Sequence, residues 1–221
     1  MKMVRSKEII MSNTDIFQHL VTTNMNDSEK GHLMQFHERV KFKLDAARYF
    51  LDRLGELEKK AGSLVNSGIS RFDVELHLDA FFYEVVGAFD VQLQEINVAF
   101  QLPLDERGVD TQGIIINLPN NNQLKKKLAR IHGDTEGWFW QLREYRNHST
   151  HRRIIGFVIT VQVGSGTGER AVYLFKHPLN PEKGKANIEV VPYCQESLTN
   201  MEQITEEIYG LCIDELKTTK L

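Results

Sequence analysis

Between Asp27 and Ala61 apolar residues return every three or four positions: Leu33, Phe36, Val40, Leu44, Ala47, Leu51 and Leu54. Charged residues fill the gaps between them. A period near 3.6 predicts an amphipathic helix, and Gly62 is suited to end it. At about 1.5 Å per residue this rod is roughly 50 Å long. A second helix is expected from Ser70, where "SRFD" has the form of a capping box, to about Phe100, just before Pro103. Its apolar surface is wide, with Phe81, Phe82, Val85, Val86, Phe89, Leu93 and Ile96, which marks it as the most buried helix. Residues 1–26 have no clean period and read as an arm or a short irregular helix. Residues 104–118 read as a connecting loop.

Pro119 and the Asn run 120–122 open a short helix through Ile131, closed by Gly133. Asp134 is placed to cap the next helix, which carries Trp138, Phe139, Trp140, Leu142 and Tyr145. After Arg153 the period changes to an extended one. "IIGFVITVQV", "RAVYLF" and "NIEVVPY" read as three short strands, with "GSGTGE" as a turn. "TNME" then offers a capping box for a last helix lined by Met201, Ile204, Ile208, Leu211 and Leu216. The expected fold is mainly α: an up-and-down helical bundle with a small antiparallel hairpin or meander before the last helix. An arm over 1–26 precedes a single domain over 27–221, with the β insertion at about 154–193.

Composition changes little in this picture. A chain of 221 residues, 41% hydrophobic and 26% charged, suits one globular domain with a sizeable core. The apolar run near the N-terminus falls short of the roughly seven to fifteen residues of a signal peptide, and nothing approaches a membrane span of about twenty. Two cysteines without a CxxC suit a reducing compartment, so a cytoplasmic protein with no membrane association is expected.

Charge matters more. The net charge is −3, yet residues 123–153 hold eight Lys and Arg against three carboxylates, which leaves −8 for the remainder. Any attraction for nucleic acid is therefore local. "WQLREYRNHSTHR", residues 140–152, concentrates that chemistry. On a helix Arg143, Asn147 and His151 follow at i, i+4 and i+8, and Glu144 lies one turn before His148, where it can orient the ring. Two readings fit these residues: a solvated basic helix end, or a site for phosphodiester chemistry. In the second, a 2′-hydroxyl attacks the adjacent phosphate, a His moves protons and Arg stabilises the developing charge. Arg143, Arg152, Arg153, Lys126 and Arg130 would then hold backbone phosphates.

Other motifs carry less. "GSGTGER" lies between strand-like runs with no following Lys, so it reads as a hairpin turn and not a phosphate cradle. His32 and His37 are about 140° apart on a helix, and there is no HExxH. Glu75, His77 and Asp79 read as polar residues at the edge of the second helix. Glu75 and Asp79, one turn apart, are placed to approach a basic residue on a neighbouring helix. Neither a metal nor a cofactor is expected.

Arg146-Asn147-His148-Ser149-Thr150-His151, after the helical lead-in "LREY", is similar to the signature of the HEPN superfamily (higher eukaryotes and prokaryotes nucleotide-binding domains). In that signature an Arg and a following polar residue precede a His four to six positions beyond the Arg. The bundle over roughly 27–153 and 196–218 adds to the resemblance. The resemblance implies a metal-independent endoribonuclease, in a toxin–antitoxin or defence setting, with Arg146 and His151 as the catalytic pair and Asn147 as the polar residue. It also implies a homodimer in which two copies of the motif form one RNA-cleaving cleft, and an antitoxin or other protein partner. The alternative within the same family is a non-catalytic module that binds nucleotide, nucleic acid or protein. The sequence departs at Arg153, where members silenced by a nucleotidyltransferase carry Tyr.

Overall fold

Asn26 and Glu29 exchange hydrogen bonds. The Glu29 N–H donates to Asn26 Oδ1 at 3.0 Å, and the Asn26 N–H donates to Glu29 Oε2 at 3.1 Å. This reciprocal cap starts the first long helix. The structure is a computed structural model that describes residues 13, 16–18, 21–22, 25–63, 71–151, 157–164, 168–175 and 188–218. The elements are α1 (Asp27–Ser63), α2 (Arg71–Ala99), a 3₁₀ turn (Glu106–Gly108), α3 (Thr111–Asn117), α4 (Gln123–Gly133) and α5 (Trp138–His151). They continue as β1 (Phe157–Gly164), β2 (Gly168–Phe175), β3 (Ile188–Glu189) and α6 (Val190–Thr218). The fold is mainly helical, and no helix among the described residues is long and apolar enough to cross a membrane.

The long periodic segments form helices where the pattern predicts. The seven apolar residues of α2 named above are all buried, as are Leu33, Val40, Leu44, Ala47, Leu51 and Leu54 of α1. Phe36 is only half-buried, and its neighbour His37 takes the interior position at 1% exposure. The proposed cap at Ser70 lies outside the described residues. At the far end of α2 the Leu102 N–H donates to Asn97 O at 3.0 Å, with Gln101 at φ 50°. That is a Schellman-type stop built without glycine. Gln101→Gly removes the left-handed penalty and is expected to raise stability by up to about 1 kcal/mol in a urea melt. An unchanged or lower midpoint would contradict this.

Four local expectations are corrected. The segment 104–118 is not a plain loop: Asp110 caps α3 by accepting from the Gly113 N–H at 2.6 Å. Asp134 does not start α5, because it follows α4 and its N–H donates to Arg130 O at 3.1 Å. The third strand is only Ile188–Glu189, and α6 begins at Val190. "TNME" is therefore helix interior, with the Thr199 hydroxyl bonded back to Gln195 O at 2.9 Å. Pro192 is tolerated because it lies in the first turn, where its missing N–H has no intrahelical acceptor. Buried Val190, Cys194, Leu198 and Met201 recur at helical spacing, and that periodicity outweighs the β-branched start.

The chain divides into two compact units. The first comprises residues 1–43, 87–135 and 200–221, and the second comprises 44–86 and 136–199. In the first unit α4 is capped by Asn122, whose side chain accepts from the Lys125 N–H at 2.9 Å. Lys127 donates to Glu207, and the Gln123 N–H donates to Glu215 Oε1 at 2.5 Å, so α4 is held to α6. The interior of this unit contains a polar chain. Glu95 lies 2.7 Å from His37 Nδ1 through one oxygen, and its other oxygen accepts from the Tyr209 hydroxyl at 2.5 Å. All three are almost fully buried. Burial foremost, then the Glu95 charge, keeps the Tyr209 phenol well above its ordinary value. Gly87 is also dictated here, since a Cβ would come 2.7 Å from Lys43 Nζ.

In the second unit the strands form an antiparallel sheet of order β1-β2-β3, with Ile159 opposite Tyr173 and Phe175 opposite Ile188. Buried Glu58 of α1 accepts from the Tyr173 N–H at 3.2 Å, and the Tyr173 hydroxyl donates to Leu57 O at 3.2 Å. Burial and the neighbouring Glu58 push the Tyr173 phenol up to about 12. A carboxylate from a helix thus takes a strand N–H, docking the sheet on α1.

Candidate functional site

The Arg-rich helix α5 lies in the second unit and is fixed through its aromatic side. Phe139, Leu142 and Tyr145 are buried, while Trp138 and Trp140 are half-buried. The Tyr145 ring stacks on Phe82 of α2 at 5.2 Å and 15°, and Tyr193 of α6 meets its edge at 5.5 Å. Offset aromatic stacking of this kind adds to the burial of a large ring. Burial, reinforced by Tyr193, drives the Tyr145 phenol far above its ordinary value, and burial does the same for Tyr193 against its Ser197 hydrogen bond. Neither tyrosine is a base at neutral pH. They anchor the helix at the position next to Arg146.

Arg146 is half-buried, and its Nε is shielded from solvent. The Ser149 hydroxyl, one turn on, has one proton and two acceptors in reach: Arg146 O at 3.3 Å and the Asp79 carboxylate. Asp79 belongs to α2, so this hydroxyl links α2 to the motif on α5. The sequence places Glu75 and Asp79 to meet a basic residue on a neighbouring helix. The partner found for Asp79 is on a neighbouring helix, but it is a hydroxyl. Asn147 and His148 are half-buried on the same turn, as are Arg143 and Glu144, and the Arg143 guanidinium lies 6.0 Å from the Phe139 ring centroid. His151 is described only as the last residue of α5, and Arg152 and Arg153 lie outside the described residues.

Burial raises the Asp79 carboxyl above its ordinary value; the Ser149 hydrogen bond opposes this and Glu75 adds to it. A raised folded-state value means that the carboxyl contributes most below its unfolded pKa of roughly 3.9, and that this contribution is lost as pH rises through the folded value. Asp79→Asn is therefore expected to compare more favourably with the wild type at pH 7 than at pH 3.5 in urea melts. A difference that is flat, or that runs the other way with pH, would contradict the assignment.

The other basic candidates fall elsewhere. Lys126 and Arg130 are exposed on α4, in the first unit, so the basic run from 123 to 153 is shared between two units. Lys125 is engaged in closing the loop before α4, donating to Leu118 O at 2.9 Å and to Asn120 Oδ1 at 3.0 Å. The Lys127 hydrogen bond chiefly, helped by Arg130, lowers the Glu207 carboxyl. His77 Nδ1 lies 2.5 Å from Asp73 O and is oriented by its own helix. Among the described residues no three His, Cys, Asp or Glu side chains converge on a point that could hold a metal ion.

Sequence reasoning missed two supports of this region. Tyr193 ends the stretch "NIEVVPY", expected as a strand, and Ser149 is a residue of the motif to which the sequence assigns no role. The only signal for Ser149 was its position three residues after Arg146, within reach of the Arg146 carbonyl. No protein-family model, curated protein or solved structure matches the chain.

Proposed function

We propose that this chain is an endoribonuclease of the HEPN type, acting without a metal ion. The supporting observation is the fixing of Arg146. Its neighbour Tyr145 is stacked on Phe82, its carbonyl is within reach of Ser149, and its Nε is shielded from water. A guanidinium on a pinned helix needs little reorganisation when charge develops on a phosphate, and that is the property an electrostatic catalyst requires. In the proposed reaction the 2′-oxygen bonds to the adjacent phosphorus and the bond to the 5′-oxygen breaks. His151 takes the proton from the 2′-hydroxyl and returns one to the leaving 5′-oxygen, or does one of these while its copy in the dimer does the other, leaving a cyclic phosphate and a 5′-hydroxyl. Arg146 stabilises the phosphorane-like charge, and Asn147 and His148 line the same turn. Two copies of the chain would supply the motif to one groove, as an isologous interface permits.

The test is incubation of structured and single-stranded RNA with the purified protein in EDTA, beside His151→Ala. Cleavage by the wild type and none by His151→Ala is the expected result. Equal cleavage by both would sink the assignment. RNA binding with a steep salt dependence and no product would replace it with a non-catalytic binding module.

A further inference from the structure

The solvent face of α2 in the second unit carries three large apolar side chains: Phe72, Leu76 and Tyr83 are 68%, 50% and 51% exposed. At 100° per residue they fall within about 40° of arc, over roughly 16 Å of helix. Exposed apolar residues scattered singly need no explanation, but a stripe along one face marks a contact surface. Its edges are acidic. Glu75 and Asp79 follow one side, toward the Ser149 link with α5, and Asp73 and Glu84 follow the other. Across residues 71–86 there are four carboxylates against Arg71 alone.

We infer that this stripe is the docking surface for a basic amphipathic helix of a partner protein. Apolar side chains at i, i+4 and i+11, with Asp79 at the intervening i+7, follow the seam spacing at which helix-in-groove recognition reads anchors. Lys or Arg flanking the partner's apolar face would meet carboxylates on both edges, which favours encounter and fixes register. The same edges disfavour the other occupants. RNA or an anionic membrane would bring phosphates against carboxylates. A second copy pairing α2 with α2 would set like charges side by side. The inference does not depend on whether the chain cleaves RNA. The link from Asp79 to Ser149 means, however, that a docked helix would lie beside the motif of α5.

The probe is a labelled 18-residue helical peptide of Leu, Lys and Ala with leucines at i, i+4 and i+11, titrated against the full chain by fluorescence anisotropy. A peptide with Glu in place of Lys is the control. The basic peptide is expected to bind and the acidic one not. Phe72→Ser/Leu76→Ser is expected to weaken binding at least about ten-fold, the loss of one or more interface anchors. Asp73→Lys/Glu84→Lys, which leaves the apolar stripe intact, is expected to reverse the preference between peptides. The inference is overturned by absence of binding, by equal binding of the two peptides, or by binding that survives the double serine variant. It is equally overturned if the stripe variants dissociate a self-associating chain in sedimentation, or if they weaken binding of single-stranded RNA.

Discussion

With Arg146 replaced by alanine, RNA cleavage is expected to fall by about 10²–10³-fold, the usual consequence of removing one preorganised donor from a developing oxyanion. Arg146→Lys keeps the charge but loses the planar fork that grips phosphate through two bonds, so it should recover only part of the rate. The side chain is half-buried, so helicity and the urea midpoint have to be followed beside the rate. A folded Arg146→Ala protein that cleaves RNA at the wild-type rate removes Arg146 from the reaction. Parallel loss of rate and of fold assigns it to structure instead. The position of Tyr145 separates these outcomes. The Tyr145–Phe82–Tyr193 cluster anchors α5 without Arg146, so the Ala variant is expected to fold.

Glu95→Ala carries the largest expected effect on stability, a loss of about 3–5 kcal/mol. The carboxylate receives the Tyr209 hydroxyl on one oxygen and faces His37 Nδ1 on the other, with all three side chains almost out of solvent. Alanine would leave two buried polar groups without their acceptor and a space the size of the carboxylate. Since small domains are stable by only about 5–15 kcal/mol, that is a large fraction of the total. Glu95→Gln keeps an acceptor for Tyr209 at nearly the same volume, so it is expected to cost less than half as much. The measurement is a pair of urea melts at neutral pH. Equal midpoints for the Ala variant and the wild type would show that the polar chain does not hold the first unit together.

The sequence specifies local structure plainly wherever one period runs long. Seven apolar residues at three- and four-residue steps in α1, and a broad apolar face in α2, leave little choice of structure. It does not where two signals compete over a few residues. Val190 and Val191 favour a strand locally, yet Cys194, Leu198 and Met201 continue a helical stripe and the helix prevails. Asp134 is a good cap by residue type, but the turn after Gly133 draws it to the end of α4. The interior carboxylates were missed for another reason. Glu95 and Glu58 interrupt apolar patterns, and only a partner far along the chain, Tyr209 or Tyr173, makes their burial tolerable.

The sequence alone determined the long helices α1 and α2, the change to strands after residue 153, and which short stretch carries Arg, Asn and His together. Those follow from local periodicity and covalent neighbourhood. Tertiary structure decided which side of α5 is anchored, that Asp79 reaches Ser149, and that the basic residues of α4 and α5 fall in different units. It also decided which apolar residues of α2 remain in water. Each of those depends on contacts between residues many positions apart, and a single sequence does not encode them as any spacing.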